Sequence, residues 1–171
     1  ITDSRDIALK PAPYFRQEID VKKKVVAARA YVAVGGLFEL YVNGKKVGDH
    51  RLDPMYTRFD RRTLYVTHDI TRYLTEGKNT LGILLGNGWF NHQSTAVWYF
   101  DKAPWRARPK FCMDLRITYQ DGSVQNISSG TSWKTSSGAI IFNSIYTGEH
   151  QDANQEKTGW SNVGFDDSKW V

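Results

Sequence analysis

The residues best suited to chemistry gather between positions 86 and 109. Trp89, Trp98 and Tyr99 offer flat aromatic faces there, and Asn87, Asn91, His92 and Gln93 offer hydrogen-bonding groups beside them. Sugars are held by that combination, because an aromatic face covers the C–H patch of a pyranose while amides take its hydroxyls. The same aromatics would serve to cover one end of a fold or to pack on a neighbouring domain, since each buries a large area. Both readings stand at the level of sequence. Gly86-Asn87-Gly88 fits a tight turn or bulge at a strand end. It lacks the strand, glycine loop and helix of a phosphate cradle, which excludes a dinucleotide site.

Catalysis within the chain has little support. Glycoside hydrolysis usually takes two carboxyl groups roughly 5–10 Å apart across the scissile bond. Asp166 and Asp167 are adjacent in a turn-like stretch, and nothing around Glu149 and Asp152 suggests burial. Acids in such settings are expected to be solvated. There is no G-x-S-x-G elbow, and Cys112 falls in the middle of a strand with no base beside it. Cys112 is also the only cysteine, so the chain contains no internal disulfide and no thiolate metal site. His50, His68, His92 and His150 are dispersed without the spacing of a transition-metal site. Calcium stays open, because it takes scattered Asp, Asn and backbone oxygens. Asn126-Ile127-Ser128 matches a glycosylation sequon, a pattern too short to carry weight.

The elements that would position these groups are strands. Apolar residues alternate with polar ones over 15–21, 25–34, 38–42, 81–85 and 111–119, the period of half-buried strands. In 25–34 the inward set is expected to be Val26, Ala28, Ala30, Val32 and Val34. Asn43-Gly44 follows the third run and is a strong two-residue hairpin signal, since both residues tolerate positive φ. Asp121-Gly122 closes the fifth run, and further strands are expected over 123–127 and 139–145. Helix is expected only as one turn over 69–76, capped by Asp69 and ended by Gly77. Residues 88–109 and the stretch from Gly148 onward read as irregular. A loop as long as the first is usually functional or an interface.

Length and composition agree with that picture. A chain of 171 residues, 40% apolar and 24% charged, suits one globular domain and excludes a disordered or collagen-like chain. No apolar run approaches the ~18 residues of a membrane span. The net charge is +5, with +8 in the first 148 residues and five acids against two lysines in 149–171. Lys22–Lys24, Lys45-Lys46 and Arg61-Arg62 fit solvated strand edges. No recognition helix or RNP-like motif is present, so nucleic acid is not an expected partner. The chain begins at Ile1 and reads as a piece of a longer protein. Many short strands with regular turn signals predict an all-β fold, a jelly-roll β-sandwich of the galactose-binding-like type.

The order of motifs resembles a family. Phe38-Glu39-Leu40-Tyr41-Val42-Asn43-Gly44-Lys45-Lys46-Val47-Gly48, Leu52-Asp53-Pro54, Asp69-Ile70-Thr71, Gly86-Asn87-Gly88-Trp89-Phe90, Tyr146-Thr147-Gly148-Glu149 and Gly164-Phe165-Asp166-Asp167-Ser168 follow one another. In that order they resemble the N-terminal domain of bacterial α-L-rhamnosidases of glycoside hydrolase family 78, across residues 14–170. The resemblance implies a jelly-roll accessory domain attached to an (α/α)₆ barrel that carries the acid and base. Residues 1–13 would be an N-terminal extension, 14–148 the domain, and 149–171 an exit segment toward the next module. The fragment would be non-catalytic, its parent a glycosidase. Its partners would be a rhamnose-containing glycan or glycoside and the sister domains of the enzyme, in a periplasmic or extracellular setting or, alternatively, the cytoplasm.

Some members of this domain type bind rhamnose through a calcium ion held by Asp and Asn, and the matching position here is Asn87 with Trp89. Asn87 is flanked by glycines rather than by an acid. The expected sugar contacts are Trp89 and Trp98 as platforms and Asn87 and Asn91 as hydrogen-bond partners. Asp49, Asp53 and Arg58 would be further contributors, with a possible calcium ion near Asn87. The alternative is a spacer that docks on the barrel without binding sugar.

Overall fold

The computed structural model describes residues 10–93 and 98–171. Residues 1–9 of the expected N-terminal extension and residues 94–97 of the aromatic loop lie outside the described residues. Two antiparallel sheets face each other. One contains, in spatial order, β4 (Lys45–Lys46), β3 (Leu37–Val42), β6 (Gly77–Gly86), β1 (Pro13–Val21) and β9 (Lys134–Ser137). The other contains β5 (Tyr65–Asp69), β2 (Val25–Gly35), β7 (Lys110–Tyr119) and β8 (Val124–Ser128). A separate ribbon pairs β10 (Ile140–Ser144) with β11 (Gly148–Gln151).

The core forms where the alternating residues of both sheets meet. Phe38, Leu40 and Val42 of β3 and Leu81, Ile83 and Leu85 of β6 pack against Ala28, Ala30, Val32 and Val34 of β2 and Met113, Leu115 and Ile117 of β7. Val26 does not join them. A register shift between Val25 and Ala27 against β7 makes a bulge there, and it leaves Val26 exposed. The β3–β4 hairpin turns at Asn43 and Gly44, with φ of 51° and 79° as a primed turn requires. The Asn43 side chain then bridges outward, its Oδ1 accepting from the Thr80 amide at 2.8 Å and its Nδ2 donating to the Tyr73 carbonyl at 2.9 Å.

The helical turn expected over 69–76 is shorter than the spacing suggested. It is a three-residue 3₁₀ turn, Thr71–Tyr73. Asp69 is the last residue of β5, and its Oδ1 accepts from the Thr71 amide at 3.0 Å. Gly77, with φ +87°, opens β6 opposite Val21 instead of ending a helix. Among the described residues no helix is long and apolar enough to cross a membrane.

The C-terminal residues lie on the outer face of the five-stranded sheet. The stretch expected to be irregular from Gly148 begins as β11. Beyond it, Trp160 stacks on Tyr14 at 4.7 Å and 14°, and Thr135 and Val171 exchange backbone hydrogen bonds of 2.8 and 3.1 Å. Arg16, only 1% exposed, fixes this segment. Its guanidinium donates to the carbonyls of Trp160 and Asn162, both at 3.0 Å, and pairs with Asp167 and Glu18.

Candidate functional site

The aromatic loop leaves the end of β6 through Gly86, Asn87 and Gly88. Gly88 holds φ +50°, and a Cβ there would stand 2.9 Å from Leu37 Cγ. Asn87 and Asn91 are both buried and turned inward. The Asn87 amide N–H donates to Asn143 Oδ1 at 2.6 Å, and its Nδ2 donates to the Asn143 carbonyl at 2.9 Å. Its Oδ1 accepts from Asn91 Nδ2 at 3.0 Å, and Asn91 Oδ1 accepts from Arg106 Nε at 3.3 Å. These four side chains form one ladder that ties the loop to β10.

Above the ladder sits a cluster of rings. Trp89 meets Tyr146 at 4.9 Å, Phe100 at 5.1 Å and Tyr56 at 5.8 Å, and His92 lies parallel to it at 6.0 Å. His92 is fully buried, and neither ring nitrogen has a partner among the described residues. Burial, reinforced by the nearby Arg106 charge, pushes the His92 pKa down, which keeps the ring neutral. Trp98 and Tyr99 stand apart from this packing. They are 78% and 72% exposed, and both are held at positive φ, 52° and 56°. A bulky residue in that region costs of order 1–3 kcal/mol, and such strain concentrates at functional sites. Lys102 Nζ lies 5.2 Å above the Tyr99 ring.

The other expected contributors lie on the connection between β4 and β5. Asp49 is exposed, Asp53 accepts from His50 Nδ1 at 2.8 Å, and Arg58 pairs with Asp60 at 2.9 and 3.0 Å. What this connection brings to the loop is Tyr56 and Phe59, whose rings reach Trp89 and Phe90 at 5.8 and 5.2 Å. Sequence reasoning missed these two residues and Tyr146. The residues beside Asn87 do not fit a calcium ion. The Asn87 Oδ1 already accepts from Asn91, and Lys10 and Arg108 line the small cavity next to it. Among the described residues no three His, Cys, Asp or Glu side chains gather in one place.

A larger concavity runs beside the loop, a groove of about 630 Å³ on the outer face of β3 and β6. Leu37, Tyr41, Leu84 and Gly86 belong to its sheet side, while Asn143, Ser144 and Gln151 come from the β10–β11 ribbon. Glu39 lies within it, accepting from the Tyr41 hydroxyl at 2.7 Å and paired with Lys46 and with Arg51 at 3.3 Å. Burial acts to raise the Glu39 pKa, but the bonds from Lys46 and Tyr41 outweigh it and hold the carboxyl below its ordinary value. Burial and the Glu39 charge push the Tyr41 phenol up.

The sequence profile of the Alpha-L-rhamnosidase N-terminal domain matches residues 23–171. An α-L-rhamnosidase of Formosa agariphila is 39% identical over 163 residues, covering 93% of this chain and 17% of the relative. The crystal structure of α-L-rhamnosidase from Aspergillus terreus superposes with a TM-score of 0.90 at 34% identity, over 99% of this chain and 20% of that one. The enzyme of Streptomyces avermitilis, solved in complex with L-rhamnose, superposes with a TM-score of 0.88 at 34% identity, over 96% and 16%. The chain thus spans about a sixth of the length of the curated relative.

Proposed function

The chain belongs to the α-L-rhamnosidase N-terminal domain family, and from that membership we propose that it is a non-catalytic domain of an α-L-rhamnosidase that recognises rhamnose-containing glycosides. The observation that carries this reading is the exposed Trp98–Tyr99 pair on left-handed backbone. A fold that only needed to be closed would bury such rings, and it would not strain the chain to expose them. In this reading Trp98 and Tyr99 take the apolar face of the sugar. Trp89 supports them through Phe100, and Asn87 and Asn91 set the shape of the loop from beneath. The parent enzyme would cleave the terminal rhamnoside elsewhere.

Calorimetric titration of the chain with L-rhamnose, with and without calcium, tests the proposal. Saturable heat with a change in tryptophan emission is expected, equal in both conditions and lost in Trp98→Ala. No heat up to tens of millimolar sugar would refute it. A second reading, a spacer docked on a sister domain, is favoured by Leu52 and Met55, which are exposed on the connection that also carries Tyr56. It predicts no effect of sugar on the melting temperature and a rise in that temperature when the following domain is present.

A further inference from the structure

The groove on the outer face of β3 and β6 carries observations that neither loop packing nor the sheet explains. Gly86 is the first. A Cβ there would lie 3.5 Å from Asn143 Oδ1 and 3.7 Å from Leu37 Cβ, ordinary contact distances, and Gly86 has no positive φ. Nothing in the fold demands that this position be bare, and a bare strand residue often marks the close approach of a ligand. The second is Ser144 on the opposite wall, 9% exposed, whose hydroxyl has no partner among the described residues. A buried hydroxyl without a partner is costly, and rotation about χ1 toward the groove, where a ligand donor or acceptor would meet it, relieves that cost.

The third observation is the rim. Arg51 is 77% exposed at its side chain and pairs with Glu39 at 3.3 Å. Glu149 and Gln151 are exposed on β11, and Glu39 is held ionised. Arg51, Glu39, Glu149 and Gln151, whose Nε2 donates to Glu149 at 2.8 Å, thus border a floor of Leu37, Leu84 and the Tyr41 ring, which is how hydroxyls and a C–H face are met together. The volume falls within the usual range of small-ligand sites, roughly 300–1,000 Å³. Glu39 and Glu149 are balanced by Arg51 and by the Lys46 that pairs with Glu39, so the rim offers no net charge to hold a charged glycan.

We propose that this groove is a second saccharide site, separate from the Trp98–Tyr99 platform, and that it takes a short neutral glycan. The proposal shares the ligand class of the preceding reading and none of its residues, so the two fail independently. The test is an amide-resolved NMR titration of the chain with methyl α-L-rhamnoside and with a rhamnose-terminated disaccharide. Shifts at Glu39, Tyr41, Gly86 and Gln151 are expected. They should persist in Trp98→Ala and weaken about fivefold in affinity in Gly86→Ala, whose methyl intrudes on the sugar, and in Arg51→Ala, which loses one contact. Both variants should keep the wild-type melting temperature. Shifts confined to the Trp98 region would overturn the groove and leave the platform standing, and no shifts at all would overturn both. If a longer chain carrying the following domain protects these amides and excludes the sugar, the groove belongs to that domain and the proposal falls.

Discussion

Two halves of one sheet face are finished in opposite ways. Where β1 and the adjoining part of β6 face outward, the C-terminal segment lies on them, and Gly82 is bare because a Cβ would stand 2.7 Å from the Trp160 ring. Four residues along the same strand and on the same side, Gly86 is bare with no such neighbour. The polar groups differ in the same sense. Arg16 uses its three nitrogens on Trp160, Asn162, Glu18 and Asp167 and is closed off from water, whereas Arg51 pairs with Glu39 and stays in solvent. The closed half shows what this chain does with polar and glycine residues when it builds structure, so the open half, which does otherwise, points to a ligand.

The comparison breaks most visibly at Arg16. Arg16→Met removes the charge that Asp167 and Glu18 face and strands two carbonyls that accept from it. The carboxylates left behind are partly exposed and Asp167 keeps Lys134, so the main cost is that of the carbonyls left unsatisfied, about 1–3 kcal/mol. Urea unfolding should show that loss, together with a change in tryptophan emission as Trp160 loosens. A loss below about 1 kcal/mol would mean that the segment is held by its apolar contacts alone.

The glycine pair comes next. Gly82→Ala forces the Trp160 ring to move and should cost about 1–3 kcal/mol, the range for overpacking a filled site. Gly86→Ala should cost nothing measurable, since its Cβ meets only ordinary contacts. Thermal melts of the two variants side by side decide the matter. Equal losses would remove the distinction between the two halves.

The closed half should also be acid-sensitive. Burial acts to raise the Asp167 pKa, but Lys134 and Arg16 outweigh it and hold it below the ordinary value. Glu18 is lowered chiefly by the Gly164 amide. Depressed carboxyls stabilise the fold above their unfolded values, about 3.9 and 4.3, and that contribution is lost as pH falls through the folded values. The urea midpoint should therefore hold from neutral pH to about 5 and drop below about 4. The drop should be shallower in Lys134→Met. A midpoint insensitive to pH down to about 3 would contradict the role given to these carboxylates.

What the sequence revealed was local. The Asn43–Gly44 turn and the strands β1, β2, β3, β6 and β7 are visible because each carries its own period or turn chemistry. The strands expected over 123–127 and 139–145 are present as β8 and β10, whereas the edge strand β9 and the ribbon strand β11 carry no such signal. Lys-Thr-Ser-Ser in β9 and Gly-Glu-His-Gln in β11 bury too little to alternate. Val26 misleads because a bulge is set by the partner strand, which periodicity does not see. At the candidate site the aromatic loop was legible by composition. The inward turn of Asn87 was not, because its partner Asn143 lies 56 residues away. The groove was hidden for the same reason, being walled by residues from four distant stretches.

The exposed platform should also bear little on stability. Trp98 packs little, meeting Phe100 at 6.3 Å, and sits at φ 52°. Trp98→Gly removes a ring that contributes little burial and relieves the left-handed strain, while the added freedom of glycine in the unfolded chain opposes that gain. The two terms are of similar size, so the melting temperature should move by no more than the equivalent of about 1 kcal/mol in either direction. Trp89→Ala, by contrast, strips the ring that Tyr146, Phe100 and Tyr56 pack on, and it should cost about 3 kcal/mol. Rhamnose binding at the platform should be lost in Trp98→Gly at unchanged stability. If Trp98→Gly instead unfolds the chain as Trp89→Ala does, the exposed ring is a structural support, and the spacer reading takes its place.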